Sequence, residues 1–139
     1  MFRKWYSRLV LLFQVRYIIC RLKHSIKFKF RKVTTMNIAT EVNKEVLGQI
    51  AAESIAKINP NQTNGKRWVN AIAKATAEIE TNPFMTYNLE SHSLLMMSET
   101  SNETYTANGT CQCKAFEKGF PCKHRAAARL VAIYIERSR

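Results

Sequence analysis

The sequence lacks several features on which enzymes and membrane proteins depend. It contains no aspartate, so all ten acidic residues are glutamate, and it has only four glycines and three prolines. It has no glycine-rich phosphate loop and no G-x-S-x-G motif, which leaves no cradle for a nucleotide and no nucleophile elbow. The apolar runs Leu9–Phe13 and Tyr17–Cys20 fall well short of the roughly 20 residues that span a bilayer. We therefore expect neither an enzyme nor a small-molecule substrate.

Positive charge is distributed unevenly along the chain. The net charge is +12, yet ten of the 22 basic residues and none of the ten acidic residues lie in residues 1–35. Such a segment is typical of a basic arm that contacts nucleic acid or a membrane surface. The other interpretation is that it is not translated, because the composition changes abruptly at Met36. We expect translation to begin at Met36, and membrane contact only if residues 1–35 are expressed.

Residues 36–82 carry two helical patterns. Apolar side chains recur at intervals of three and four over residues 38–58 and again over residues 67–80. The polar, proline-containing stretch Asn59–Gly65 separates the two patterns. The segment is therefore predicted to be a helical hairpin, with Trp68 as an apolar core anchor.

The pattern changes over residues 83–139. Short stretches around Tyr87, over Leu94–Met97 and over Thr104–Ala107 predict strands, and residues 125–137 predict a helix. Three of the four cysteines and one of the three histidines fall between the last strand and this helix, with the spacing C-x-C-x8-C-x-H.

These four residues predict one structural zinc ion. Thiolate and imidazole are the ligands that Zn²⁺ prefers, and four of them fill a tetrahedral shell without leaving a position open for catalysis. A disulfide is disfavoured, because adjacent C-x-C pairs are strained and one cysteine would be left over. The first pair is expected on an extended strand, where both sulfurs share a side, and the second pair at a helix start. The predicted ligands are Cys111, Cys113, Cys122 and His124.

The region from about residue 84 to residue 134 resembles the SWIM-type zinc finger, whose pattern is C-x-C, a variable spacer and C-x-H. Phe116 matches the usual aromatic position of this family, and Pro121 with the alanine-rich helix matches its typical ending. Lys114-Ala115 departs from the Pro-Asp that members often carry. The resemblance implies a ββα fold and a DNA or protein partner. The chain is thus expected to be an α+β protein, a helical hairpin followed by a small ββα zinc finger at residues 83–139.

Basic residues surround the predicted zinc site, with Phe116 and Phe120 interleaved among them and only Glu117 opposing them. This pattern predicts nucleic-acid binding, mainly through phosphates. Basic side chains would also stabilise a negatively charged metal–thiolate centre without any DNA. The alternative function is therefore a protein-interaction adaptor stabilised by zinc. The chain is expected in the cytoplasm, or in the nucleus if the protein is eukaryotic. The predicted nucleic-acid contacts are Lys114, Lys118, Lys123 and Arg125.

Overall fold

The computed structural model describes residues 34–98 and 101–139, which contain four strands and five helices. The basic segment predicted over residues 1–35 lies outside these residues, apart from its last two positions. In chain order the elements are β1 (Thr35–Asn37), α1 (Ile38–Glu41), α2 (Lys44–Ala56), α3 (Gly65–Thr81), β2 (Met85–Asn88), β3 (Ser93–Met97), β4 (Thr104–Ala107), α4 (Lys114–Glu117) and α5 (Lys123–Arg137).

The strands form one antiparallel sheet in the order β1-β2-β3-β4. Its register pairs Met36 with Tyr87 and Leu94 with Ala107. Because side chains alternate along a strand, one face of the sheet is apolar and buried while the other contacts solvent. The buried face carries Met85, Tyr87, Leu94, Met96 and Ala107.

Helices α2 and α3 begin in different ways and present apolar stripes to the same core. The Asn43 side chain caps α2 by accepting hydrogen bonds from the backbone N–H groups of Glu45 and Val46. Helix α3 follows Asn64, which has a left-handed backbone with φ of 67°. No helix among the described residues is long and apolar enough to cross a membrane. The buried stripes comprise Leu47, Ile50 and Ala51 on α2 and Ala71, Ile72, Ala75 and Ile79 on α3.

Helix α5 joins the predicted hairpin to the predicted finger. It packs against α2, α3, β3 and β4, so residues from both segments share one hydrophobic core. Its first half is alanine-rich, and small side chains let neighbouring elements approach closely. At its far end the Tyr134 hydroxyl accepts a hydrogen bond from the backbone N–H of Asn43, at 3.1 Å. The core-facing residues of α5 are Ala126, Ala127, Ala128, Leu130 and Val131.

The observed elements confirm a mixed α/β fold and refine the expected one. The strand predicted over Thr104–Ala107 and the helix predicted over residues 67–80 are present. The first predicted helix is interrupted at Asn43, whose side chain caps a new helix instead of continuing the old one. The described part of residues 83–139 contains three strands and two helices, and β1, which precedes the helical segment in the chain, completes the sheet.

Replacement by alanine should change the stability of the protein in opposite directions at Gly65 and at Gly48. A Cβ atom on Gly65 would lie 2.2 Å from the carbonyl oxygen of Asn59, whereas a Cβ on Gly48 would meet nothing within 4 Å. Gly65→Ala should therefore displace the loop before α3 and lower the free energy of unfolding by about 1–3 kcal/mol. Gly48→Ala should raise it by about 1 kcal/mol, because alanine favours the helix. Urea denaturation measures both, and equal effects would contradict the close approach at Gly65.

Candidate metal centre

The four predicted ligands converge on one point in the structure. Their ligand atoms all lie within 4.8 Å of one another, and Cys111 Sγ is 3.4 Å from His124 Nδ1. Tetrahedral zinc, with bonds of about 2.3 Å to sulfur and about 2.0 Å to nitrogen, separates its ligand atoms by about 3.5–3.8 Å. All four side chains are buried, with exposed fractions of 3–7%. The cluster is therefore able to hold one zinc ion, and Nδ1 is the histidine atom in contact with Cys111 Sγ.

The first cysteine pair lies in a loop, so its predicted position on a strand is wrong. Strand β4 ends at Ala107. Gly109 then adopts a φ of 105°, a backbone conformation outside the range of an extended strand. Cys111 follows in irregular backbone, and Cys113 is the residue immediately before the one-turn helix α4. The two sulfurs are brought together by this loop and the start of α4, not by the alternation of a strand.

The second pair lies at the start of α5, as predicted. Cys122 is the N-cap residue, and its Sγ accepts a hydrogen bond from the backbone N–H of Arg125 at 3.5 Å. His124 is the second residue of the helix. A sulfur that caps a helix lies near the positive end of the helix dipole, which stabilises a thiolate there. The start of α5 therefore supplies two ligands. The helix dipole there stabilises the thiolate form of Cys122, which is the form that binds zinc.

Burial and hydrogen bonding shift the pKa values of the three thiols in different directions. Burial raises the pKa of Cys111 to about 12, and it raises the pKa of Cys122 above the ordinary value. Burial also acts to raise the pKa of Cys113, but hydrogen bonds led by the backbone N–H of Phe116 outweigh it and leave that pKa lowered. Unpaired thiolates are thus unfavourable at two of the three positions. A divalent cation offsets this cost, because it binds the thiolate form directly.

The surroundings of His124 suit a neutral ligand. Burial, followed by the charge of Lys123, lowers its pKa and favours the uncharged imidazole that binds metals. The Tyr105 ring stacks on the imidazole, with centroids 4.4 Å apart and planes inclined by 16°. Sequence analysis missed this contact, because its only signal was the place of Tyr105 in the strand before the first cysteine.

The structure places the four predicted nucleic-acid residues in different environments. Lys114 and Lys118 are exposed on and just after α4. Lys123 forms an ion pair with Glu78 of α3, with 2.6 Å between Nζ and Oε2. The guanidinium of Arg125 lies over the Phe116 ring, 5.0 Å from its centroid. Lys114 and Lys118 are therefore free to meet a phosphate, the charge of Lys123 is compensated by Glu78, and Arg125 rests on a ring without an ion-pair partner among the described residues.

Comparison with known families supports the identity of the metal site. Residues 106–131 match the family model of the SWIM zinc finger, and this segment contains all four ligands. The resemblance inferred from the motif is confirmed over these residues. No curated protein and no solved structure matches the chain.

Replacing a ligand should abolish zinc binding, whereas replacing an unrelated residue of the same type should not. Cys111→Ser and His124→Asn each leave three ligands, so we expect zinc content well below one ion per chain and a lower melting temperature. His92→Asn is the matched control, because His92 is exposed, lies outside the cluster and has a φ of 50° that asparagine tolerates. Elemental analysis and thermal denaturation test this. Full zinc content in Cys111→Ser protein would contradict the assignment.

Proposed function

We propose that this chain is a non-enzymatic binding module in which one structural zinc ion orders a basic, nucleic-acid-binding segment. The zinc ligands Cys113 and Cys122 stand at the two ends of residues 114–121. This segment has no strand and only one helical turn, so its two ends are held mainly by the metal site. The zinc-bound state would therefore fix where the side chains of the segment point.

The observation that carries the proposal is the charge on and around this segment. Lys114 and Lys118 are exposed, as is Arg129 farther along α5, and the opposing carboxylate on this stretch is that of Glu117. Exposed cations in such an arrangement attract phosphate oxygens and release counterions on binding. Lys123 contributes less than the sequence implied, since its charge is already compensated by Glu78.

The salt dependence of binding tests the phosphate contacts. Each phosphate contact contributes a slope of about −0.9 to the plot of log affinity against log salt for duplex DNA. Replacing Lys114 and Lys118 by alanine should therefore flatten the slope by about 1.8, with unchanged zinc content. Lys57 and Lys74 are exposed lysines outside the segment, so their double alanine variant is the matched control.

A flattening of equal size in both double variants would show that binding is not localised to the segment. Failure of zinc-loaded wild-type protein to bind any nucleic acid at low salt would exclude the proposed function. Fluorescence anisotropy with labelled oligonucleotides measures both outcomes.

The solvent face of the sheet favours the adaptor as the second candidate function. Phe84 is 62% exposed and Leu95 is 45% exposed, although both are large apolar side chains. The backbone N–H of Met97 donates to the carbonyl of Phe84, and Thr86 pairs with Leu95, so these side chains are neighbours on one face. Exposed apolar clusters of this kind mark protein contact surfaces. If nucleic-acid binding is absent, Leu95→Lys should abolish binding to a protein partner.

A further inference from the structure

Two arginines near the zinc site stack on aromatic rings. The guanidinium carbon of Arg67 lies 3.7 Å from the centroid of the Phe120 ring. Arg125 lies 5.0 Å from the centroid of Phe116 and 5.6 Å from that of Trp68. Arg67 and Trp68 belong to the first turn of α3, while the two phenylalanines belong to the zinc-bracketed segment 114–121. Cations and rings thus share a surface that is built from the start of α3, the zinc-bracketed segment and the start of α5.

This surface is partly open to solvent. Phe120 is 37% exposed and Arg67 is exposed, whereas Trp68, Phe116 and Arg125 are half-buried. Neither arginine forms an ion pair with a carboxylate of the described residues. The nearby cation Lys123, by contrast, is compensated by Glu78. The positive charges of the two guanidinium groups are therefore not compensated by a carboxylate of the described residues and are available to an external anion. Each guanidinium group lies over an aromatic ring.

An exposed ring beside uncompensated cations matches the chemistry of a single strand of nucleic acid. An unpaired base has an open π-face that stacks on an aromatic ring or on a guanidinium plane, and its phosphates carry the negative charge. A duplex hides the faces of its bases and offers only phosphates and groove edges. An acidic peptide supplies carboxylates but stacks on Phe120 only where it also carries an aromatic side chain, whereas every nucleotide of a single strand carries both a phosphate and a base.

We propose that Arg67 and Phe120 form a stacking site for a base of single-stranded nucleic acid, with Arg125 beside it as a phosphate contact. This proposal rests on the proposed nucleic-acid function and names its substrate class. Phe120 carries the base contact because it is the most exposed ring of the group. Arg67 supports the stack from α3 and adds one positive charge.

The zinc site couples to this stacking site through the backbone. Phe120 is two residues before the ligand Cys122, and Phe116 is three residues after the ligand Cys113. The backbone N–H of Phe120 also donates to the carbonyl of Ala115 at 2.9 Å, which closes the turn around Gly119. Removing zinc should therefore displace the rings from the arginines, and single-strand binding should be lost together with the metal.

Anisotropy titrations of the full zinc-loaded chain test the proposal, with labelled oligothymidylate and oligouridylate of about 20 nucleotides and a duplex of equal length. Phe120→Ala should weaken binding to the single strands about 5- to 150-fold, the range for loss of one base–ring stack, and should weaken duplex binding much less. Phe84→Ala is the matched control, because it removes an exposed phenylalanine from the sheet. Phe120→Trp should retain binding. The affinities for oligothymidylate and oligouridylate, compared with each other, show whether single-stranded DNA or RNA is preferred.

A second pair of variants separates stacking from charge. Arg67→Ala should weaken single-strand binding more than Lys74→Ala, although both remove one positive charge from an exposed position of α3. Equal effects of these two substitutions, or no effect of Phe120→Ala at unchanged zinc content, would overturn the stacking site while leaving phosphate-based binding intact. Absence of binding to every probe would overturn the proposed function itself.

Discussion

The convergence of four metal ligands on one point is the constraint on which the structure of residues 106–131 depends. Cys111, Cys113 and Cys122 form a small buried cluster with Ala115 and Phe116, and Tyr105 packs against both this cluster and the main core. So few apolar residues bury little surface, and small units of this kind require a metal or a disulfide to fold. Structural zinc sites supply apparent binding free energies of about 10–16 kcal/mol, much of it as folding energy. The metal thus replaces a hydrophobic core in this part of the chain.

Helix α5 connects the metal site to the main hydrophobic core. Its N-cap Cys122 and its second residue His124 are ligands, and its next turns pack alanines against the sheet and the helices α2 and α3. The ion pair between Lys123 and Glu78 connects the same helix start to α3. The aromatic and cationic surface around Phe120 exists because the start of α3 contacts the zinc-bracketed segment 114–121. The proposed binding surface is therefore positioned by one metal site and by the starts of α3 and α5.

The ligand set was predictable because it depends on residue type and spacing within fourteen residues. The strand Thr104–Ala107 and helix α3 were predictable from local periodicity. Strand β1 was not, because three residues carry no periodic signal and pair with a strand about 50 positions away. The contacts of Lys123 and Arg125 also escaped prediction, since their partners Glu78 and Trp68 lie on another helix and only tertiary packing brings them together.

Hydrogen exchange of the zinc-loaded protein and of the chelator-treated protein tests the central claim most directly. If zinc orders the segment between β4 and α5, amides of residues 111–125 should exchange much faster after zinc removal. Amides within α2, α3 and β3 should keep most of their protection, because their core side chains are buried independently of the ligands. Unchanged exchange over residues 111–125 after verified loss of zinc would contradict the account.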